Sequence, residues 1–517
     1  MSSPTEHEAG TVLAAVLAQA RLRPGAPAVE GPEGTLSYAG LVAAARGEAA
    51  RLAAAGAGRG TRVAVEAGYG APYLVPLLAC WLLGATAVPL DPAAPGERRR
   101  YQIRRAVCTV AVRGTATDGV STTATAEVGR EEAAGAPDPA GPAAYVLFTS
   151  GSTGVPKGVE VEHPALLNML EHFVRALEFG PGSRMLAHSN TVFDMSVPEL
   201  LIPLVCGGTA VVAPERAARN PEFFARFLRG ARLSAAWATP SQLRLLLPFL
   251  GGERVFGTLI SGGEALPAAL AEELLPVTGA LWNAYGPTEI TVVGLCTPLE
   301  PPFRDPLPIG RPLTGLGARV LDEAGQPVAA GEVGELWLSG AGVARGYTGE
   351  PGLTAKSFVT AADGSRMYRT GDLVRAGADG QHYFHGRADD QVKIRGHRIE
   401  LGEIEAVAQR LPELAQAVAV VCEGPEGRPE LYLACVPAAG SPPWPQAGRE
   451  VRAGLHRLLP AYMRPRQVLD FAALPDTAAG KTSRRAVREL VRERLHRPQA
   501  PARTPTIPSP GHERTLP

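Results

Sequence analysis

The residues 148–158, FTSGSTGVPKG, follow an apolar approach with little besides glycine, hydroxyls and one cation. Gly151, Gly154 and Gly158 permit close backbone approach, Thr149, Ser150, Ser152 and Thr153 bring hydroxyls, and Lys157 brings a positive charge. Such a loop suits an anion like the β- and γ-phosphates of ATP. The common GxxxxGK[ST] spacing is absent, because Pro156 precedes Lys157. The GKT at 480–482 would need glycine at 475, where Pro475 stands.

Three further groups fit the same chemistry. In NAYGPTE, 283–289, Tyr285 offers a face to a purine, Thr288 a hydroxyl to phosphate oxygen, and Glu289 a carboxylate to Mg²⁺. In YRTGDL, 368–373, Asp372 follows a turn, where its carboxylate can accept both hydroxyls of a ribose. In GKTSRR, 480–485, Lys481 stands behind a glycine near the end of the chain.

The elements that must position these groups read as α/β. The 517 residues exceed one compact core, and residues 1 to about 128 alternate helical patterns (LAAVLAQARL) with strand patterns (TRVAVEA). A linker-like stretch at 129–142 precedes the strand that delivers the opening loop, and glycine-rich turns close the apolar runs up to about Arg387. In open α/β sheets such turns at strand carboxyl ends are where ligands bind. The uncharged stretch 71–90 holds three prolines and reads as a buried helix and a strand, not a membrane span.

Charge becomes dense at 386–405 and an α+β pattern follows. We therefore expect a large domain over 1–388, a small mobile one over 389–486, and a proline-rich disordered tail over 487–517. Lys plus Arg equals Asp plus Glu at 51 each, which gives no support to nucleic-acid or polybasic membrane binding. Six cysteines without a CxxC pair, and no basic N-terminal leader, read as reduced core residues of a cytoplasmic protein.

Taken together, these motifs resemble the adenylation domains of nonribosomal peptide synthesis, in the superfamily of acyl- and aryl-CoA synthetases and luciferases. The resemblance runs almost end to end. It includes LSYAGL (36–41), LLGATAVPLDP (82–92), FTSGSTGVPKG (148–158), FDMSVPEL (193–200), NAYGPTE (283–289) and GELWLSGAGVARGYTGEPGLTAKSF (334–358). It continues through YRTGDLVR (368–375), GRADDQVKIRGHRIELGEIE (386–405), LPAYMRP (459–465) and AGKTSRRA (479–486).

The resemblance implies stacked αβα subdomains with a small β-barrel-like part, and a mobile small domain. It implies Tyr285, with Asn283, Ala284 and Gly286, around adenine; Asp372 and Arg387 at the ribose; Glu289 on Mg²⁺; and Asp389 as hinge. Lys481 would bridge substrate carboxylate and α-phosphate, with Thr288 and Glu289 completing the catalytic set. Ala479, Thr482 and Ser483 depart from the residues usual around that lysine.

Asp194 matches the carboxylate that pairs with the substrate's amino group. The side-chain pocket carries over as Met195, Pro198, Trp237, Ile260, Gly262, Ala284, Val292 and Val293, all apolar, which suits a small-to-medium aliphatic amino acid. A β-amino or imino acid is the alternative within that pocket. After Ala486 too few residues remain for a carrier domain, so a stand-alone enzyme serving a separate phosphopantetheinylated carrier protein is expected, with a small activator protein as a further candidate partner. The rivals are an acyl- or aryl-CoA synthetase and a non-catalytic nucleotide-binding homologue on the same fold.

Overall fold

The computed structural model describes residues 10–115, 119–124, 141–151, 154–361, 363–389, 391–424, 428–475 and 482–496, with backbone alone over 114–115 and 119–124. It divides into two compact units, Met1–Arg410 with Ala453–Arg464, and Leu411–Arg452 with Pro465–Pro517. Residues 389–410, assigned with the small domain from their charge, pack in the larger unit. Ser152, Thr153, Asp390, Lys481 and the tail beyond 496 lie outside the described residues.

Among the described residues, two large sheets and a two-stranded hairpin, Gln391–Ile394 with His397–Glu400, build the larger unit. One has seven strands; its central parallel members are Arg62–Ala67, Thr86–Pro89, Val110–Thr115 and Tyr145–Thr149. The apolar stretch at 71–90 forms the helix Ala71–Leu82 and the strand Thr86–Pro89, both packed into the main core. Proline at the helix's first turn costs no hydrogen bond, and the uniformly apolar surface is buried on all sides.

The second sheet has fourteen strands and changes character along its width. Thr209–Val212, Arg184–Ala187, Leu233–Ala238, Phe256–Gly262 and Thr278–Tyr285 run parallel. Leu295–Leu299, Pro308–Pro312, His382–Arg387, Arg366–Ala376 and Val333–Gly340 continue it antiparallel. These antiparallel strands stand where the barrel-like part was expected, and among the described residues they extend an open sheet. The parallel strands are nearly continuous apolar runs, as strands covered on both faces must be. Their carboxyl ends deliver Trp237, Gly262 and Ala284 to one edge. The helix Pro240–Leu250 starts there under a capping box between Thr239 and Gln242, which fixes where the strand stops.

In the smaller unit, Leu414–Glu423 pairs antiparallel with Pro429–Pro437, which pairs parallel with Gln467–Asp470. The helix Arg484–His496 buries Val487 and Val491 against Val418, Val420 and Tyr432. All six cysteines are free, and all but the half-buried Cys206 are buried. Among the described residues no helix is long and apolar enough to cross a membrane.

Candidate active site

A cleft in the larger unit gathers segments far apart in sequence. Its lining includes Thr149, Ser150, Asp194, Met195, Trp237, Gly262, Ala284, Gly286, Thr288, Val292, Val293, Asp372 and Arg387, all singled out from sequence. Pro198 and Ile260 are buried in helix and sheet behind the wall and do not line it. Asn283 is also buried, its amide donating to the Pro308 carbonyl at 2.8 Å.

The hydroxyl-rich loop joins two paired strands, with Phe148 opposite Gly158 and Thr149 opposite Lys157. Gly154 turns back on Gly151, N to O 3.0 Å, and a Cβ on Gly151 would meet the Val155 carbonyl at 1.9 Å, so only glycine fits. Thr149 Oγ1 is buried without a hydrogen-bond partner among the described residues, an orphan suited to a bound oxygen.

Asp372 and Arg387 are cross-strand partners, so their ion pair follows from sheet register. Asp372 also accepts from the Tyr285 hydroxyl, and Arg387 grips Asp389 through two hydrogen bonds, 2.6 and 2.8 Å. Burial works against the charges here, yet Arg387 holds Asp389 below its ordinary pKa, and the two aspartates push Arg387 up.

Glu289 is fully buried. Tyr347 donates to Oε1 at 2.8 Å, Lys157 Nζ stands 3.3 Å from it, and Arg398 donates to Oε2 at 2.7 Å. Burial alone would raise its pKa, but Arg398 and Lys157 hold it far below the usual carboxylate range. An ionised carboxylate is by type a ligand for a divalent cation, and here both its oxygens are held by Arg398, Lys157 and Tyr347. Lys157 itself is pushed down by burial and by Arg398, with Glu289 opposing.

Asp194 stands just before the helix Ser196–Cys206 and accepts from Thr288 Oγ1 at 2.5 Å. Burial pushes its pKa up, and the Thr288 bond and Lys393 pull it down. From sequence, Asp194 had no cation near it; in the fold, Lys393 brings one. The loop that carries Asp194 is held by buried Glu199, which accepts from the His188 and Ser189 amides, both at 2.9 Å, and from Tyr69 at 2.6 Å. Thr291 and Val292 take φ of 59° and 72°, strained for β-branched residues, and this kink turns Val292 and Val293 into the cleft.

Sequence reasoning missed the roles of Lys393, Arg398 and Glu403, although it quoted the segment containing them. Lys393 Nζ lies 5.4 Å from the Tyr285 ring centroid, over the face assigned to adenine. Their partners lie far away in sequence, so only the charge density of the segment signalled them. Tyr347, between Lys157 and Glu289, carried no signal of its own.

Residues 16–348 match the model of the AMP-binding enzyme family. Novobiocin biosynthesis protein H of Streptomyces niveus is 39% identical over 497 residues, covering 91% of this chain and 81% of that protein. The chain spans only 41% and 44% of two other curated relatives. Among solved structures, holo-PA1221, an NRPS protein containing adenylation and PCP domains bound to a vinylsulfonamide inhibitor, is 28% identical with TM-score 0.77, over 92% of this chain and 84% of that one. Holo-AB3403, a four-domain nonribosomal peptide synthetase bound to AMP and glycine, is 33% identical with TM-score 0.66, over 94% of this chain and 36% of that one. The chain belongs to the AMP-binding enzymes and is an adenylation domain of the nonribosomal peptide type.

Proposed function

We propose that this AMP-binding enzyme activates a small-to-medium aliphatic amino acid with ATP and passes it to the phosphopantetheine thiol of a carrier protein. One observation carries the reading: Asp194, anchored by Thr288, lines the same cleft as the apolar Met195, Trp237, Gly262, Ala284, Val292 and Val293. A carboxylate beside these apolar residues suits a substrate with an ammonium at one end and a hydrocarbon side chain at the other.

In the first half-reaction a substrate carboxylate oxygen attacks the α-phosphorus, and the bond to pyrophosphate breaks. Asp372 and Arg387 take the ribose, Tyr285 flanks the adenine, and the 149–157 loop cradles the leaving pyrophosphate. Glu289 would hold Mg²⁺, which neutralises phosphate charge as the anions approach. Lys481 supplies the cation at the α-phosphate. In the second half-reaction a thiolate sulfur attacks the acyl carbon and AMP leaves. Asp389 serves as the hinge for the change between the two half-reactions, and Lys481 acts only in the first. A carrier partner is supported by the PCP domain present in the similar NRPS structure.

Amino-acid-dependent ATP–pyrophosphate exchange tests this across aliphatic α-amino, β-amino, imino and amino-free acids. Exchange with one aliphatic α-amino acid is expected. Exchange confined to β-amino or imino acids would redraw the pocket's ligand. Exchange confined to amino-free acids would move the chain to CoA-ligase chemistry, and silence with every acid in folded, ATP-binding protein would favour a non-catalytic homologue.

A further inference from the structure

Thr288 stands between the two ends of the cleft with a single side-chain proton to give. It opens the short 3₁₀ helix Thr288–Ile290, so it adjoins Glu289 in the chain, while its Oγ1 donates to Asp194 Oδ2 at 2.5 Å. The backbone there is pinned. The Ile290 amide donates to the Pro287 carbonyl at 3.0 Å, the Thr291 amide to the Thr288 carbonyl at 3.1 Å, and the Ala344 amide to the Glu289 carbonyl at 2.9 Å. Thr288 is buried, and turning χ1 from one staggered position to another redirects its hydroxyl while the backbone stays in place.

A hydroxyl carries one donor proton, so it cannot serve Asp194 and a phosphate oxygen at once. Asp194 holds the stronger claim until an ammonium faces it. Burial pushes its pKa up, and among the described residues Thr288 is the only side chain that donates a hydrogen bond to it. A buried carboxylate deprived of that donor is costly. An ammonium brings three N–H donors and a full positive charge, and so satisfies the carboxylate better than a hydroxyl does.

We propose that the substrate's amino group releases Thr288: an ammonium seated on Asp194 takes over the carboxylate, and the freed Thr288 hydroxyl turns to a phosphate oxygen in the transition state. This rests on the adenylation reading above and deepens it. Asp194 then selects twice. It holds the ammonium, which sets KM, and it withholds a donor from any acid that lacks one, which sets kcat.

The test pairs each aliphatic α-amino acid with the acid of the same carbon skeleton lacking the amino group, in ATP–pyrophosphate exchange of the full chain with kcat and KM resolved. In the unaltered protein, loss of the amino group should lower kcat as well as raise KM, a comparison that needs no variant to fold. Asp194→Ala leaves Thr288 free and should raise kcat for the amino-free acid by about 10-fold, a fraction of the ~10²–10³-fold that one transition-state donor supplies. Adding Thr288→Val should abolish that gain, and Thr288→Ser in its place should keep it. Mere relief of a buried charge would lower KM for the amino-free acid and leave kcat alone. Equal kcat for the two acids in the unaltered protein, no gain in kcat from Asp194→Ala, or a gain that survives Thr288→Val overturns the proposal. With exchange still supported by the amino acids, the adenylation reading would stand in each of those cases. Silence with every acid of both kinds, in folded, ATP-binding protein, removes that reading and the release of Thr288 with it.

Discussion

The two ends of the cleft are built in opposite ways. At the apolar end, Trp237, Gly262 and Ala284 sit on neighbouring parallel strands, with Trp237 opposite Ile260 and Gly262 opposite Ala284. Trp237 is braced by Phe173, ring centroids 5.0 Å apart at 67°. Each side chain there has neighbours set by sheet register, and moving one means moving a strand. At the charged end, Glu289, Lys157, Arg398, Asp372, Arg387 and Lys393 come from five segments and satisfy one another. Their partners are charges, which ligand charges can replace. Shape selection is therefore fixed in the sheet, and phosphate handling is an exchange of ion pairs.

The largest effects should come from removing charges. Lys481→Ala, at the lysine proposed for the α-phosphate, is expected to lower ATP–pyrophosphate exchange by about 10²–10³-fold, as loss of one transition-state donor does. Amino-acid binding, measured separately by calorimetry, should change little; near-normal exchange would strip Lys481 of its role. Glu289→Gln leaves Lys157 and Arg398 buried beside a neutral amide. Breaking a buried ion pair in this way costs about 3–5 kcal/mol, so the denaturation midpoint should drop along with exchange activity. An unchanged midpoint would mean that the two cations find other partners, and the charged end would be looser than drawn here.

How much of this was legible in the sequence follows the same division. The α/β alternation, the buried helix and strand at 71–90, and most of the apolar wall are local or periodic features, and a linear reading captures them. Pro198 and Ile260 were placed in the wall because matching positions carry over by motif, while depth behind the wall depends on packing. Asp372 was legible from its turn, but its pairing with Arg387 needed strand register. Arg398 on Glu289 joins positions 109 apart, and Glu403 reaches Gly151 across 252. No local pattern encodes such a pair, because either charge alone reads as a solvated surface residue.

The apolar end can be probed without touching charge. A Cβ on Gly262 would meet Trp237 Nε1 at 2.9 Å and the Ala284 carbonyl at 3.2 Å. Gly262→Val is expected to fill the space beside the indole and raise the KM for the preferred aliphatic amino acid by about 10–100-fold, the range for steric changes in apolar pockets. The KM for ATP should hold, since the phosphate loop and Asp372 stand elsewhere in the cleft. Equal rises in both would show the two ends coupled, and the contrast drawn above would fail.

A smaller effect should separate the ends by pH. Burial, helped by Arg395, pushes the His397 pKa down to about 3, so the imidazole is neutral where it stacks on Tyr462 and meets Phe193 edge-on. Once the hairpin leaves, the imidazole should return to its ordinary value of about 6.5. The docked state then binds fewer protons than the undocked one. Docking is therefore strongest above about pH 6.5 and weakens as pH falls toward 3, by at most about 1.4 kcal/mol per pH unit. Tyr462 stays neutral across this range, its pKa raised by burial, so His397 is the titrating member of the stack. Between pH 7.5 and 5.5, amide protection across 391–400 should fall after correction for intrinsic exchange rates, while the strands under Trp237 and Gly262 keep theirs. His397→Phe retains the stacked ring and should flatten that pH step; a step that survives the substitution would place the proton elsewhere in the segment.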